Sequence, residues 1–272
     1  MKDAILVVGA DSNIGASLYH SLNNKGISVV GTSRRKVDSS KIYLDLLDNI
    51  ESWEIPEKIH GAVICAGITK IAECETFPEL SYETNVTATT KFIQRLLDRK
   101  IFVVYLSSDL VVDATMSQKQ YCIQKSLIEQ NLMNIREACI LRLSKVLNKN
   151  FDLFLGWRSE LIQDMPIYPF KDKYFSPISM SYCIEAISKA LVEKVSGIHE
   201  IRSNRILSYE EAAFFLASHL GADLSLINPT SAFKPSDELV RLSNISSVGG
   251  PVNTLGLSAP DSFEIILQAS GL

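Results

Sequence analysis

The chain has 272 residues, 46% of them apolar and 21% charged, with a formal net charge of −4. That composition suits a folded chain with a full core, and it excludes a nucleic-acid surface, because neither the overall balance nor any basic run supplies the positive charge. No apolar stretch reaches the roughly 18 residues that a membrane-spanning helix needs.

Met1-Lys2-Asp3 leads directly into an apolar segment with no room for a signal peptide, so no membrane partner and a cytoplasmic location are expected. The five cysteines (Cys65, Cys74, Cys122, Cys139 and Cys183) are odd in number and form no CxxC pair, which suits reduced thiols. His20, His60, His199 and His219 are scattered, and no metal is expected.

In chain order, residues 4–8 are apolar and β-branched and predict a strand. Residues 14–25 carry Ile14, Leu18 and Leu22 at helical spacing and stop at Gly26. Strands are expected at 27–31, 61–65, 101–106 and 138–143, with a shorter extended piece at 41–44. Helices are expected at 82–100 and 121–134. Strands separated by helices, with no tight hairpin signal, imply parallel strands joined by right-handed crossovers. Beyond residue 144 the pattern loosens. Residues 165–170 read as loop, 181–195 and 209–220 as helices, 198–201 as a late strand, and 259–268 as a last helical piece. Ser208 followed by Glu211 has the spacing of a capping box.

The expected fold is therefore α/β: a Rossmann-like, doubly wound parallel sheet with a small C-terminal substrate-binding lobe. Residues 1–150 form the nucleotide domain, continued by segments near 175–205, and residues 151–272 form the interleaved lobe.

The first strand runs into Gly9-Ala10-Asp11-Ser12-Asn13-Ile14-Gly15. A dinucleotide pyrophosphate needs exposed backbone N–H groups at a helix N-terminus, with small residues to let the backbone approach. Gly9 and Gly15 fit the first and third glycines of that turn, and Ser12 replaces the middle one. Gly9, Asp11, Ser12, Asn13, Ile14 and Gly15 are thus candidate cofactor residues. An acid after the second strand suits a free 2′-hydroxyl, whereas arginine suits a 2′-phosphate. The segment reads Ser33-Arg34-Arg35 with no acid, which favours NADP(H), with NAD(H) as the alternative.

A third constellation follows the apolar run 101–106. Ser107-Ser108 stands at its end, and Tyr121 and Lys125 lie four residues apart on the next helix, one turn above the other. A tyrosine donating a proton to a forming alkoxide, with a lysine favouring its phenolate and a serine holding the carbonyl oxygen, is a proton-transfer group for hydride chemistry.

With these segments the chain resembles the extended short-chain dehydrogenase/reductase superfamily of the NAD-dependent epimerase/dehydratase type, most nearly the dTDP-4-dehydrorhamnose reductase group. Further carriers of the resemblance are Leu44-Asp45-Leu46, Cys65-Ala66-Gly67-Ile68, Thr84-Asn85-Val86, Leu141-Arg142-Leu143-Ser144 and Phe175-Ser176-Pro177-Ile178. The resemblance implies that Ser108 is the catalytic hydroxyl, that Tyr121 is the general acid, and that Lys125 binds the nicotinamide ribose and lowers the tyrosine pKa. It also implies that Asp45 and Leu46 lie by the adenine, Ala66 and Gly67 along the cofactor, and Asn85 near the site floor. Two loops depart from the family pattern. Ser144–Asn150 lacks the usual Pro-Gly, and Ser108–Asp113 lacks aromatics at Leu110 and Val112.

The expected activity is NADP(H)-dependent reduction of a keto group on a nucleotide-linked sugar. The alternatives are an epimerase on the same frame and a non-catalytic NADP(H)-binding regulatory protein. The expected partners are a nucleotide-sugar or other carbonyl substrate and a second copy of the chain in a homodimer.

Overall fold

The computed structural model describes residues 4–35, 40–48, 50–112, 116, 118–149, 151–232 and 255–272. Contacts divide the chain into two compact units. The first comprises Met1–Val111, Met116–Arg142 and Ile184–His199. The second comprises Val112–Thr115, Leu143–Cys183 and Glu200–Leu272.

The first unit is built on a seven-stranded sheet. Its strands are β1 (Ala4–Val8), β2 (Val29–Ser33), β3 (Ile42–Tyr43), β4 (Ile59–Ile64), β5 (Phe102–Ser108), β6 (Ala138–Leu143) and β10 (Gly197–Ile201), in the order β10-β6-β5-β4-β1-β2-β3. The pairs β3–β2, β2–β1, β1–β4 and β4–β5 are parallel. Every residue of β1 and β5 is buried, as expected of central strands covered by helices on both faces. Strand order reverses between β1 and β4, and ligands of open α/β sheets bind at the carboxyl ends of the strands beside such a reversal. The expected Rossmann-like parallel sheet is therefore present.

The helices of this unit are α1 (Asn13–Asn24), α2 (Ile71–Thr76), α3 (Pro78–Tyr82), α4 (Thr89–Asp98), α5 (Gln120–Leu132) and α7 (Met180–Glu193), the last beginning just before the unit's third segment. The single helix expected over 82–100 differs from this. α3 and α4 are joined by a π-helical stretch, Glu83–Ala88, and Thr89 Oγ1 donates to the carbonyl of Thr84, 2.8 Å away. A π-turn adds one residue to the helical circuit while keeping its amphipathic appearance, so periodicity alone does not reveal it. β2 also starts later than expected and runs through Ser33, which places that serine inside the strand and buries it.

Among the described residues the second unit holds two small sheets. β7 (Lys145–Leu147) pairs in parallel with β9 (Pro177–Ser179), and β8 (Tyr174–Phe175) pairs antiparallel with β11 (Leu207–Ser208). Its core packs Phe154, Trp157 and Leu161 of α6 (Asp152–Ile162) with Phe175, Tyr209 and Leu216. α6 lies in the stretch where the sequence pattern had loosened. Its apolar spacing is helical, but the helix is short and starts straight after a polar run.

The capping box expected at Ser208 is formed. The hydroxyl accepts from Glu211 N at 3.0 Å while the Glu211 carboxylate accepts from Ser208 N at 2.6 Å, opening α8 (Tyr209–Leu220). Among the described residues no helix is long and apolar enough to cross a membrane. Replacing Ser208 by alanine removes one of these two reciprocal bonds and is expected to lower stability by about 1 kcal/mol, read as a lower urea midpoint with an unchanged m-value.

Candidate functional site

The glycine turn is set by close approach. Gly9 has φ +82°, a conformation that favours glycine, and a Cβ there would stand 2.8 Å from the backbone of Ala66. A Cβ on Gly15 would lie 2.3 Å from the Gly9 carbonyl oxygen. Three strand ends thereby converge. Gly9 N donates to Thr32 Oγ1 at 3.0 Å, Ala10 N donates to the Thr32 carbonyl at 2.8 Å, and Cys65 N donates to the Val8 carbonyl at 2.9 Å. Ser12 is the N-cap of α1, its hydroxyl accepting from Gly15 N at 3.1 Å. Asn13 is exposed and Ile14 half-buried on the first turn.

At the end of β2, Arg34 and Arg35 are exposed, and Arg35 N donates to the Ser33 hydroxyl at 2.9 Å. The sequence places no acid at this point, yet the structure brings one there. Asp11 reaches across from the glycine turn, accepts the Ser33 hydroxyl, and forms an ion pair with Lys41 at 3.1 Å. The Ser33 bond, followed by the Lys41 ammonium, holds the Asp11 carboxyl below its ordinary range against the opposing effect of burial. Asp45 and Leu46 follow β3. Leu46 is buried, and the Asp45 carboxylate accepts from Leu47 N at 3.0 Å.

Ser108, Tyr121 and Lys125 come together at the end of β5 and the first turns of α5. Tyr121 and Ser108 are both buried. Lys125 Nζ donates to the Leu106 carbonyl at 2.7 Å and stands 4.6 Å from the Tyr105 ring centroid and 5.9 Å from that of Tyr121. Burial lowers the Lys125 pKa to about 8. Burial also raises that of Tyr121, with a hydrogen bond to Ser108 working in the opposite direction. The lowering of the tyrosine expected from Lys125 is thus outweighed in the free protein. Loss of water around the phenol is the larger effect, and Tyr121 keeps its proton at neutral pH.

Several braces were missed by sequence reasoning. The N-terminus of α5 has no side-chain cap of its own; Glu75 of α2 supplies one, accepting from Gln120 N at 2.7 Å. Gln124, fully buried between Tyr121 and Lys125 in sequence, accepts from Asn85 Nδ2 and donates to Ser81 Oγ, both at 2.8 Å. Asn85, on the π-helical stretch, also clasps the backbone of Ile68, accepting its N–H at 2.8 Å and donating to its carbonyl at 2.9 Å. The loop carrying Ala66 and Gly67 is thereby tied to α5. On the other side, Glu129 accepts from Ser107 Oγ at 2.6 Å and takes a two-pronged ion pair from Arg142, with Nη2 at 2.6 Å. A lone glutamine or glutamate within a helix gives no sequence signal of such a role.

The model of the RmlD substrate binding domain matches residues 1–244. The chain belongs to that family. It is accordingly an NAD(P)-dependent oxidoreductase of the short-chain dehydrogenase/reductase type, as the resemblance implied.

Among curated proteins it is similar to the "Probable low-salt glycan biosynthesis reductase Agl14" of Haloferax volcanii, 22% identical, with 93% of each chain covered. Among solved structures it is similar to a dTDP-4-dehydrorhamnose reductase of Bacillus anthracis in complex with NADP (19% identical, 98% and 96% covered, TM-score 0.72). A hypothetical dTDP-4-dehydrorhamnose reductase of Sulfolobus tokodaii is also similar (20% identical, 86% and 88% covered, TM-score 0.69). So is a UDP-N-acetylglucosamine 4-epimerase of Methanobrevibacter ruminantium (16% identical, 99% and 97% covered, TM-score 0.72). At these identities the RmlD relatives and the epimerase share the fold alike.

Glu129→Ala would remove the carboxylate that Arg142 and Ser107 share, beside the candidate catalytic serine. A loss of about 3 kcal/mol is expected, because the largely buried two-pronged ion pair and the Ser107 hydrogen bond are lost together. Urea unfolding of the two proteins measures it, and an unchanged midpoint would show that the pair contributes nothing.

Proposed function

We propose that the protein reduces a keto group on a nucleotide-linked sugar with NADPH, Tyr121 acting as proton donor. The observation that carries this reading is the buried group at the end of β5: Tyr121 and Ser108 both buried there, with the Lys125 ammonium fixed one turn along α5 on the Leu106 carbonyl. The family match and the curated reductase relative support the reaction class.

The nicotinamide supplies the hydride. The first turn of α1 at Asn13 and Ile14, capped by Ser12, would hold the pyrophosphate on backbone N–H groups, with Gly9 and Gly15 letting the chain approach. Ser33, Arg34 and Arg35 would face the adenosine ribose, Asp45 and Leu46 the adenine, and Ala66, Gly67 and Asn85 the length of the cofactor.

Ser108 would donate a hydrogen bond to the carbonyl oxygen and hold it beside the Tyr121 hydroxyl. Charge develops on that oxygen as hydride arrives, and the tyrosine gives up its proton there. A raised phenol pKa keeps the proton in place until then. Lys125 in its charged form would bind the nicotinamide ribose and stabilise the phenolate left behind.

A net reduction consumes one equivalent of NADPH per product, whereas an epimerase returns its hydride to the substrate. Absorbance of the reduced nicotinamide therefore separates the two. Stoichiometric loss on turnover is expected, and sugar conversion with no net change would establish the epimerase. Tyr121→Phe is expected to lower kcat by about 10²–10⁴ while NADPH still binds. Full turnover in that variant would remove the acid role.

The pH profile gives an independent reading. Lys125 is charged below about 8 and neutral above it, whereas Tyr121 titrates higher. kcat/KM should fall as pH rises through that value, and Lys125→Arg, charged throughout, should abolish the alkaline limb. A limb that persists in the arginine variant belongs to another group.

A further inference from the structure

We infer that Lys41, held in the free protein by Asp11, is the residue that admits a 2′-phosphate on the adenosine ribose, and that Asp11 is the internal anion the phosphate displaces. The inference rests on the cofactor reading above and deepens it.

Asp11 and Lys41 are far apart in sequence but meet where the glycine turn faces the last residue of β2. Asp11 Oδ1 lies 3.1 Å from Lys41 Nζ, and its other oxygen accepts the Ser33 hydroxyl. The pair is partly withdrawn from water, the Lys41 and Asp11 side chains being 14% and 21% exposed. Lys41 is also positioned from its own side. Its Nζ stands 5.8 Å from the centroid of the Tyr19 ring, and the Tyr19 hydroxyl donates to the carbonyl of the preceding residue, Ser40, at 3.3 Å. The sheet supplies the site's location, since the end of the second strand is where dinucleotide folds read the ribose 2′ position.

The charges at that position oppose one another. An ionised carboxylate accepts a ribose hydroxyl and repels a phosphate dianion, so Asp11 and Ser33 by themselves would select an unphosphorylated ribose. Lys41 reverses this. Its ammonium is a compact charge on a flexible stem, and turning from the carboxylate to a phosphate exchanges one anion for another carrying more charge. Arg34 and Arg35 are exposed at the same strand end and add attraction of longer range. The local choice between hydroxyl and phosphate lies with the Asp11–Lys41 pair.

The test is a set of NADPH and NADH dissociation constants for the full-length wild type, Lys41→Ala, Lys41→Gln and Asp11→Asn, by nucleotide-fluorescence titration. Thermal midpoints without cofactor check that each variant is folded, and the glutamine variant keeps most of the lysine stem's packing. Both lysine variants should lower the NADPH-to-NADH affinity ratio about tenfold, the size of one charge-assisted hydrogen bond. Asp11→Asn, which removes the competing anion, should raise it. A ratio unmoved in folded lysine variants, or lowered in Asp11→Asn, overturns the inference and leaves the cofactor reading standing. A wild type that binds neither nucleotide overturns both.

Discussion

The arrangement at the centre of the first unit follows from one requirement: the Lys125 ammonium, drawn out of water, must find acceptors. It finds the carbonyl of Leu106 at 2.7 Å and the face of Tyr105, both on β5. Because residues four apart stack on one face of a helix, fixing Lys125 also fixes the stripe Tyr121, Lys125 and Glu129 against that strand. Tyr121 is carried to Ser108 at the strand end, and Glu129 is carried to Ser107 and Arg142 deeper in. The helix thus meets the sheet along a polar seam of three side chains, each with a partner. Rotation of α5 by one residue would break all three attachments at once.

The same seam explains why the site resists simple electrostatic expectation. A lysine beside a tyrosine suggests a depressed phenol pKa, and that holds where both groups are hydrated. In this site the two groups share a dry environment that disfavours charge on either, so burial moves the lysine down and the tyrosine up. The resting pair is therefore biased towards a protonated phenol beside an ammonium that is charged at neutral pH. It is the state that the proposed proton donation from Tyr121 would start from.

Much of this was legible in the sequence because it is local. Alternating apolar runs and helical spacings specify the parallel sheet, Gly9 and Gly15 the first turn, and the Tyr121–Lys125 spacing one helical face. The π-helical stretch was not legible, since an inserted residue preserves the apolar pattern while it turns Asn85 towards Ile68 and Gln124. Nor was the borrowed cap of α5, because Glu75 lies far away in sequence and acts on a backbone N–H. α6 escaped for a different reason. Its three core residues, Phe154, Trp157 and Leu161, have helical spacing, but a single short helix next to polar residues offers too few repeats to stand out.

The sharpest limit of linear reading is at the cofactor's ribose end. The residues directly after the second strand, Arg34-Arg35-Lys36, are basic with no acid among them, and so point to a phosphate. In the fold an acid comes from the turn before the first helix, and the cation paired with it from the far side of the next loop. Residue type at a strand end therefore reports only half of the local charge. At that strand end Asp11 is a carboxylate already paired with a lysine, and a neutral pair can exchange partners at small electrostatic cost. A site built this way can admit both forms of the cofactor and still prefer one. On the proposed reading its preference would depend on how readily Lys41 leaves Asp11, a quantity that the arginines alone do not determine.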